Sequence, residues 1–449
     1  MRRVAPAFLV SVLVLSVSCG PPSDHTVDEG GGNPNDPQNP CLGDLCVNFC
    51  PTGTRTSISG VVTAPNGIDP IPSALVYVPR AFEEFPQEVG CEICGDILSN
   101  AFVLTKTEAD GSFTLSPVPT RQDAQPGDTV PVVVQKGRFR KVLALPIEAP
   151  CEANAIADGV FRLPGKNDGM DTIPRIAVAT GDYDSMECVL MRFGLEVGSF
   201  DLFEGSAFGG LGGTSTLPGF DGLLRDLPRM KGYNIIFINC TNDTFEDMLN
   251  DPAIRQNVRD YVGSGGRLYV TDWSYDWIEQ VEEFSGVIDY EPGASDMAPE
   301  PHNAATLGAG EEVAQANVLD QNMQDWMRAV EVRAGEETIS DANTVTVQHF
   351  LGGWVLQLAT AISEQTRVWI TANIDGMNDR PLTTTYDYNA CGRWLYSSYH
   401  TAGKGDEFDP FGGGLGLDFP GYCGSGGLSP QERVLEYLIL HVADCVQVD

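Results

Sequence analysis

The sequence predicts two folded parts in series, a small all-β sandwich over residues 55–165 and an α/β open-sheet (flavodoxin-like) domain over residues 174–449. Three observations lead there. Short β-rich runs separated by Gly, Pro, Asn and Asp turns fill the first stretch, with no helical period. From Pro174 onward, apolar strands alternate with helical stretches, the pattern of parallel βαβ units. Hydrophobic residues make up 42% of the chain and charged residues 20%, enough apolar material for two cores.

The chain begins differently. Arg2 and Arg3 precede an apolar run from Val4 to Val17, followed by Ser18, Cys19 and Gly20. A basic start, a short apolar segment and small residues before a cut are the parts of a secretory signal. The run holds 14 residues, short of the roughly 20 that a spanning helix needs. With Ser16 and Ser18 before it, Cys19 resembles the acylated cysteine of the bacterial lipoprotein signal. The resemblance implies a signal peptide over 1–18, a lipid on Cys19, and a membrane partner reached through that lipid. It places the protein in the cell envelope, at the outer membrane or cell surface. Ser16 stands where that family usually has Leu, although Leu15 is one position earlier. The alternative is an ordinary signal peptide with an incidental cysteine. Residues 19–54 then form a Cys-bearing linker. Its start, residues 20–40, is rich in Gly, Pro, Asn and Asp and reads as a flexible tether.

Charge and cysteines narrow the chemistry. Lys and Arg number 27 against 62 Asp and Glu, a net charge of −35. Such a field repels phosphate backbones, so nucleic acid is not an expected partner. The acids are spread along the chain, as on a solvated surface, with some free to meet a divalent cation. Twelve cysteines in an exported chain point to disulfides. Setting Cys19 aside leaves an odd number, which predicts at least one free thiol. Cys91 and Cys94 form a C-x-x-C pair that reads as structural in an oxidising compartment, where a reducing one would suggest zinc or redox chemistry.

In the first folded part, Thr56–Thr63 and Ala74–Val78 are β-rich runs separated by a turn with Asn66-Gly67. Thr105–Ala109 and Ser112–Leu115 flank Asp110-Gly111, a tight hairpin signal. Thr129–Gln135 and Arg140–Leu145 add two more strands, and the set argues for a β-sandwich. Ile58–Val62, Pro72–Val78 and Asp110–Leu115, in that order, resemble the carboxypeptidase regulatory-like domain, a transthyretin-like sandwich. The resemblance covers roughly a hundred residues and implies structure, not catalysis. Its relatives belong to a broad carbohydrate-binding-like fold group, which tips the partner toward a glycan. A cysteine-bearing loop between Arg80 and Ser99 is expected to be pinned by Cys91 or Cys94 to the early cysteines.

In the second part, Arg175–Thr180, Tyr233–Cys240 and Arg267–Trp273 read as strands, each followed by a helical stretch (Met186–Phe193, a helix ending near Val262, and Tyr275–Phe284). Further strands are expected at Val345–Phe350, Trp354–Leu358, Arg367–Ala372 and Trp394–Tyr399. Ser429 and Glu432 form a capping box for a last helix reaching about Ala443. The acidic stretch 290–341 has few strand signals and reads as an insertion. The last helix returns antiparallel to the strand that Cys391 begins, so Cys391 and Cys445 are the expected disulfide.

Ligands of open α/β sheets bind beyond the carboxyl ends of the strands. Asp182, Asp184, Asn239, Cys240, Asn242, Asp243, Asp272, Asp276, His400 and Thr401 stand there. The four acids Asp182, Asp184, Asp272 and Asp276 offer oxygen ligands to calcium or magnesium, though no EF-hand spacing is present. Helix capping is the commoner role for such an Asp. The strand Tyr233–Asn239, the glycine-led strand 264–273 and Gly392–Thr401 resemble the class I glutamine amidotransferase-like fold, including its trehalose-utilisation-like relatives. Catalytic members of that family place a cysteine at the turn after the glycine-led strand, a histidine after a late strand and a glutamate two residues beyond it. This sequence has Asp272 at the turn, His400 at the histidine position and Ala402 where the glutamate would be. The resemblance therefore implies a degenerate domain without amidotransferase activity, since that chemistry needs an activated thiolate. The expected function is binding, to an envelope glycan, a protein partner or a small ligand. A hydrolase using Asp272, His400 and Cys240, with or without a metal, is the alternative, against which Cys240 reads as a strand-end cysteine, buried or bridged to Cys188 or Cys423.

Overall fold

Val76 and Val78 alternate with Leu75, Tyr77 and Pro79, and that period of two sets the packing of the N-terminal part. The computed structural model describes residues 41–47, 50, 53–91, 100–121, 124–205, 216–241, 245–291, 302–309, 313–348, 352–401, 419–423 and 426–442. In it the chain is a mixed α/β molecule of several sheets, built largely of strands. Ala101–Lys106, Leu75–Pro79, Asp128–Lys136 and Phe139–Ile147 form an antiparallel sheet in that order. Ser112–Leu115, Ser57–Val61 and Ala153–Ala155 form a second sheet. Val76, Val78, Val132 and Val134 of the first sheet share a core with Ile58, Phe113 and Leu115 of the second. Tyr77 and Val133 belong to a separate cluster on the other face.

The expected hairpin at Asp110-Gly111 is a crossover instead. The turn forms, with Gly111 at φ 75° and its N–H donating to Glu108 O at 3.0 Å. Its two arms pair with different sheets, Ala101–Lys106 with Leu75–Pro79 and Ser112–Leu115 with Ser57–Val61. Phe113 and Leu115 thereby reach a core that an isolated two-stranded ribbon could not supply.

The large sheet has nine strands in the order Asp201–Phe203, Ile176–Ala179, Ile235–Ile238, Arg267–Thr271, Gly392–Ser397, Met377–Tyr388, Thr366–Ile374, Val313–Val318 and Thr344–Gln348. The first five are parallel and the rest pair antiparallel. The run Ile235–Ile238 is apolar throughout because both faces are covered. Ile235 and Phe237 pack into one core, Ile236 and Ile238 into the other. The stretch read as an insertion supplies the strand Val313–Val318 and the helix Gln321–Ala334, which buries Met323, Trp326, Met327 and Val330. Trp354–Leu358 is not a strand; it crosses as an extended segment with a single bridge from Val355 to Leu307. The capping box holds: Ser429 N–H donates to Glu432 Oε2 at 2.8 Å, ahead of the helix Pro430–Val442. No helix among the described residues is long and apolar enough to cross a membrane.

Contacts across the seam join the strand-rich part to the large sheet. Trp326 Nε1 donates to Pro70 O at 2.7 Å, and Arg433 meets Asp69 in a buried ion pair. Val89 N–H donates to Lys231 O at 2.8 Å. Gly265, at φ 103°, lies where a Cβ would stand 2.2 Å from Gly90 O, so only glycine admits the incoming loop. That loop carries Cys91 to Cys391, and the two are bonded. The expected Cys391–Cys445 disulfide is thus replaced: the thiol at the start of the last strand is taken by a loop from the strand-rich part. Cys91 likewise does not join the early cysteines, which pair as Cys41–Cys46 and Cys50–Cys151. Cys188 bonds Cys423. Cys240 is the free cysteine among the described residues, and Cys19, Cys94 and Cys445 lie outside them.

Candidate functional site

Parallel strands bring their carboxyl ends to one edge, and there the sequence places polar residues after apolar runs. Cys240 follows Ile235–Ile238, Asp272 follows Arg267–Thr271, and His400 follows Gly392–Ser397. These strands are immediate neighbours, so the three side chains converge. His400 Nε2 lies 2.9 Å from Asp272 Oδ2, and Cys240 Sγ donates to the same oxygen at 3.7 Å. The His400 contact is close but poorly angled, and Nε2 makes no well-formed hydrogen bond. One ligand atom from each of the three residues lies within 4.8 Å of the others.

Backbone shape holds the cluster. Asp272 sits at φ 39°, a left-handed conformation that Asp tolerates better than most residues. Its Oδ1 accepts from Val355 N at 2.7 Å, and Tyr396 Oη donates to its carbonyl at 3.1 Å. Gly181 passes so close that a Cβ would stand 2.2 Å from Cys240 O. The His400 ring stacks on Tyr183 with centroids 6.2 Å apart, and Gln431 Nε2 donates to His400 O.

A second carboxylate stands beside the cluster. Asp184 Oδ1 accepts from Ser185 N, Thr401 N and Thr401 Oγ1 at 2.8, 3.0 and 2.6 Å, while its Oδ2 is buried without a partner. Asn239 Nδ2 donates to Glu187 Oε2 at 2.9 Å, and Tyr422 Oη donates to the other Glu187 oxygen. Glu187 was invisible as a site residue, because an acid in the first turn of a helix reads as a response to the helix dipole.

Burial and charge set the protonation. Cys240, Asp272 and His400 are 0%, 1% and 4% exposed. Burial pushes the Cys240 thiol well above its ordinary pKa, and the Asp272 carboxylate adds to the shift. Burial pulls His400 down, but the Asp272 and Asp184 carboxylates outweigh it and the net direction is up. A raised thiol beside a carboxylate is the reverse of an activated nucleophile.

The other rim candidates do not join. Asp182 accepts from Thr241 Oγ1 at 2.6 Å. Asp276 pairs with His302 Nδ1 at 3.1 Å; burial raises its pKa against the pull of His302. Among the described residues, the four acids form no oxygen cage. Asn242 and Asp243 lie outside the described residues. Trp277 is buried against Phe220 and Phe245, and Trp273 Nε1 donates to Gly353 O at 2.7 Å. The segment Gly353–Val355 therefore closes over Asp272, a cover that its irregular pattern concealed.

No protein-family model matches the chain, and no curated protein matches it. Several solved structures align weakly with it, including these two. PurLQS from Thermotoga maritima aligns at 9% identity over 60% of this chain and 99% of that one, with a TM-score of 0.32. A cytoplasmic protein from Salmonella typhimurium aligns at 12% identity over 50% of this chain and 87% of that one, with a TM-score of 0.24. At these scores neither likeness carries an argument.

Proposed function

We propose that this chain is an exported, lipid-anchored cell-envelope protein that binds an envelope glycan, a protein partner or a small ligand without catalysing a reaction on it. Its body would be a carboxypeptidase regulatory-like sandwich followed by a catalytically degenerate amidotransferase-like domain. The four bridges of the described cysteines are consistent with export. The observation that carries the non-catalytic reading is the burial of Cys240, Asp272 and His400, with Val355 N–H capping Asp272. A catalytic group has to meet its substrate. The partner would then be met by the outer surface and not by this cluster.

Two measurements test the reading. Cys19→Ser should move the protein from the membrane fraction to the soluble one, and unchanged sedimentation would sink the anchor. The purified protein should turn over ester, amide and glycoside substrates no faster than His400→Gln. Turnover that disappears in that variant would establish the second reading, a hydrolase. That reading is favoured by the acid, imidazole and thiol lying within 4.8 Å and by the left-handed Asp272, since strained backbone concentrates at active sites.

A further inference from the structure

We infer that Cys240, Asp272 and His400 form a binding site for a borderline-soft divalent cation of the zinc type, at the carboxyl ends of three adjacent parallel strands. The inference goes beyond the binding role proposed above and does not depend on the lipid anchor.

The donors are one sulfur, one imidazole nitrogen and one carboxylate oxygen, a set that suits zinc and not calcium or magnesium. In tetrahedral coordination, bonds of about 2.0 Å to N or O and 2.3 Å to S put neighbouring donors roughly 3.3–3.5 Å apart. The cluster shows 2.9 Å between His400 Nε2 and Asp272 Oδ2 and 3.7 Å between Cys240 Sγ and Asp272 Oδ2. Shifts of less than about half an ångström bring both distances to those of a zinc site, and the Cys240–His400 pair, within 4.8 Å, has to close toward about 3.5 Å.

One further observation fits a ligand at the cluster. His400 is 4% exposed, yet its Nε2 has no well-formed hydrogen bond. Most buried polar atoms in folded proteins find a partner. Val355 N–H fixes Asp272 Oδ1 and leaves Oδ2 toward the other two donors, an outer contact of the kind that orients a metal ligand. Ligation releases to solvent the Cys240 proton and, where the imidazole is charged, the His400 proton, and it changes no oxidation state. Thiolate and carboxylate then neutralise the divalent charge, with His400 as a neutral ligand.

The test uses the whole purified protein, stripped with a chelator and titrated with cobalt(II) as the probe. One equivalent should produce an intense thiolate-to-cobalt charge-transfer band, which added zinc removes. Cys240→Ser should lose that band, and His400→Gln should weaken cobalt binding at least tenfold. If a variant fails to fold, the wild-type thermal midpoint supplies the second measurement and should rise with added zinc. Absence of the band in folded wild-type protein, or a band that survives in Cys240→Ser, overturns the site and leaves a carboxylate–imidazole pair beside a thiol.

Discussion

Two buried clusters in this molecule have the same charge plan and opposite chemistry. At the seam, Arg433 lies between Asp69 and Glu436. At the strand ends, His400 lies beside Asp272, with Asp184 holding the next residue. Each has two carboxylates, one basic side chain and almost no exposure. The difference is the base. Arginine keeps its charge at every accessible pH and carries five donors in a fixed fork. Histidine can give up its proton and become a ligand. The seam is therefore a permanent ionic lock, whereas the strand-end cluster has thiol, imidazole and carboxylate donors with no permanent cation among them.

The sharpest way to break the comparison is to remove each base. Arg433→Met leaves Asp69 and Glu436 buried without their cation and should cost about 3–5 kcal/mol, the range for breaking a buried pair from one side. The urea midpoint measures it, and a loss under about 1 kcal/mol would show that the lock is not one. At the strand ends the corresponding probe is Asp272. Asp272→Ala removes the acceptor of Val355 N–H and places Cβ-only alanine at φ 39°, for a loss of about 1–3 kcal/mol. Asp272→Asn keeps an acceptor and should lose clearly less. Equal losses in the two variants would mean that the Val355 contact does not hold the cover down.

What the sequence disclosed divides along similar lines. Strand ends were legible because parallel pairing forces them together: Cys240, Asp272 and His400 were rim candidates, and they meet. Asp182 and Asp276 were equally placed by sequence but are claimed by Thr241 and His302, partners that no periodicity signals. The strand Met377–Tyr388 escaped notice because its buried positions include Thr383, Thr384 and Thr385, which read as polar. Thr384 Oγ1 reaches Gln357 Oε1 at 2.6 Å, so its polarity is satisfied by a segment 27 residues away. Cys391 bonds Cys91 and not Cys445 for a related reason. Strand geometry identified the correct edge of the sheet, but which of the cysteines reaches that edge is decided by a loop docking from the other part of the molecule.

The smallest expected effect is the one that best separates the two clusters. Glu436 touches Arg433 at 2.9 Å, yet its pKa is held well above the ordinary value, first by burial and then by Asp69, with Arg433 opposing. The lock is thus one carboxylate in excess of its cation. The sign follows from linkage: a raised folded pKa means that the folded state binds this proton more tightly than the unfolded state. The contribution is fully present below the unfolded value near 4.5 and is lost as pH rises toward the folded one. Glu436→Gln keeps the oxygen that accepts from Arg433 and removes the ionisation. Its thermal midpoint relative to wild type should therefore climb as pH rises from about 4 to 7. A difference that stays flat with pH would mean that Glu436 is ionised in the folded protein. The guanidinium would then satisfy both carboxylates, and the excess of negative charge would belong to the strand ends alone.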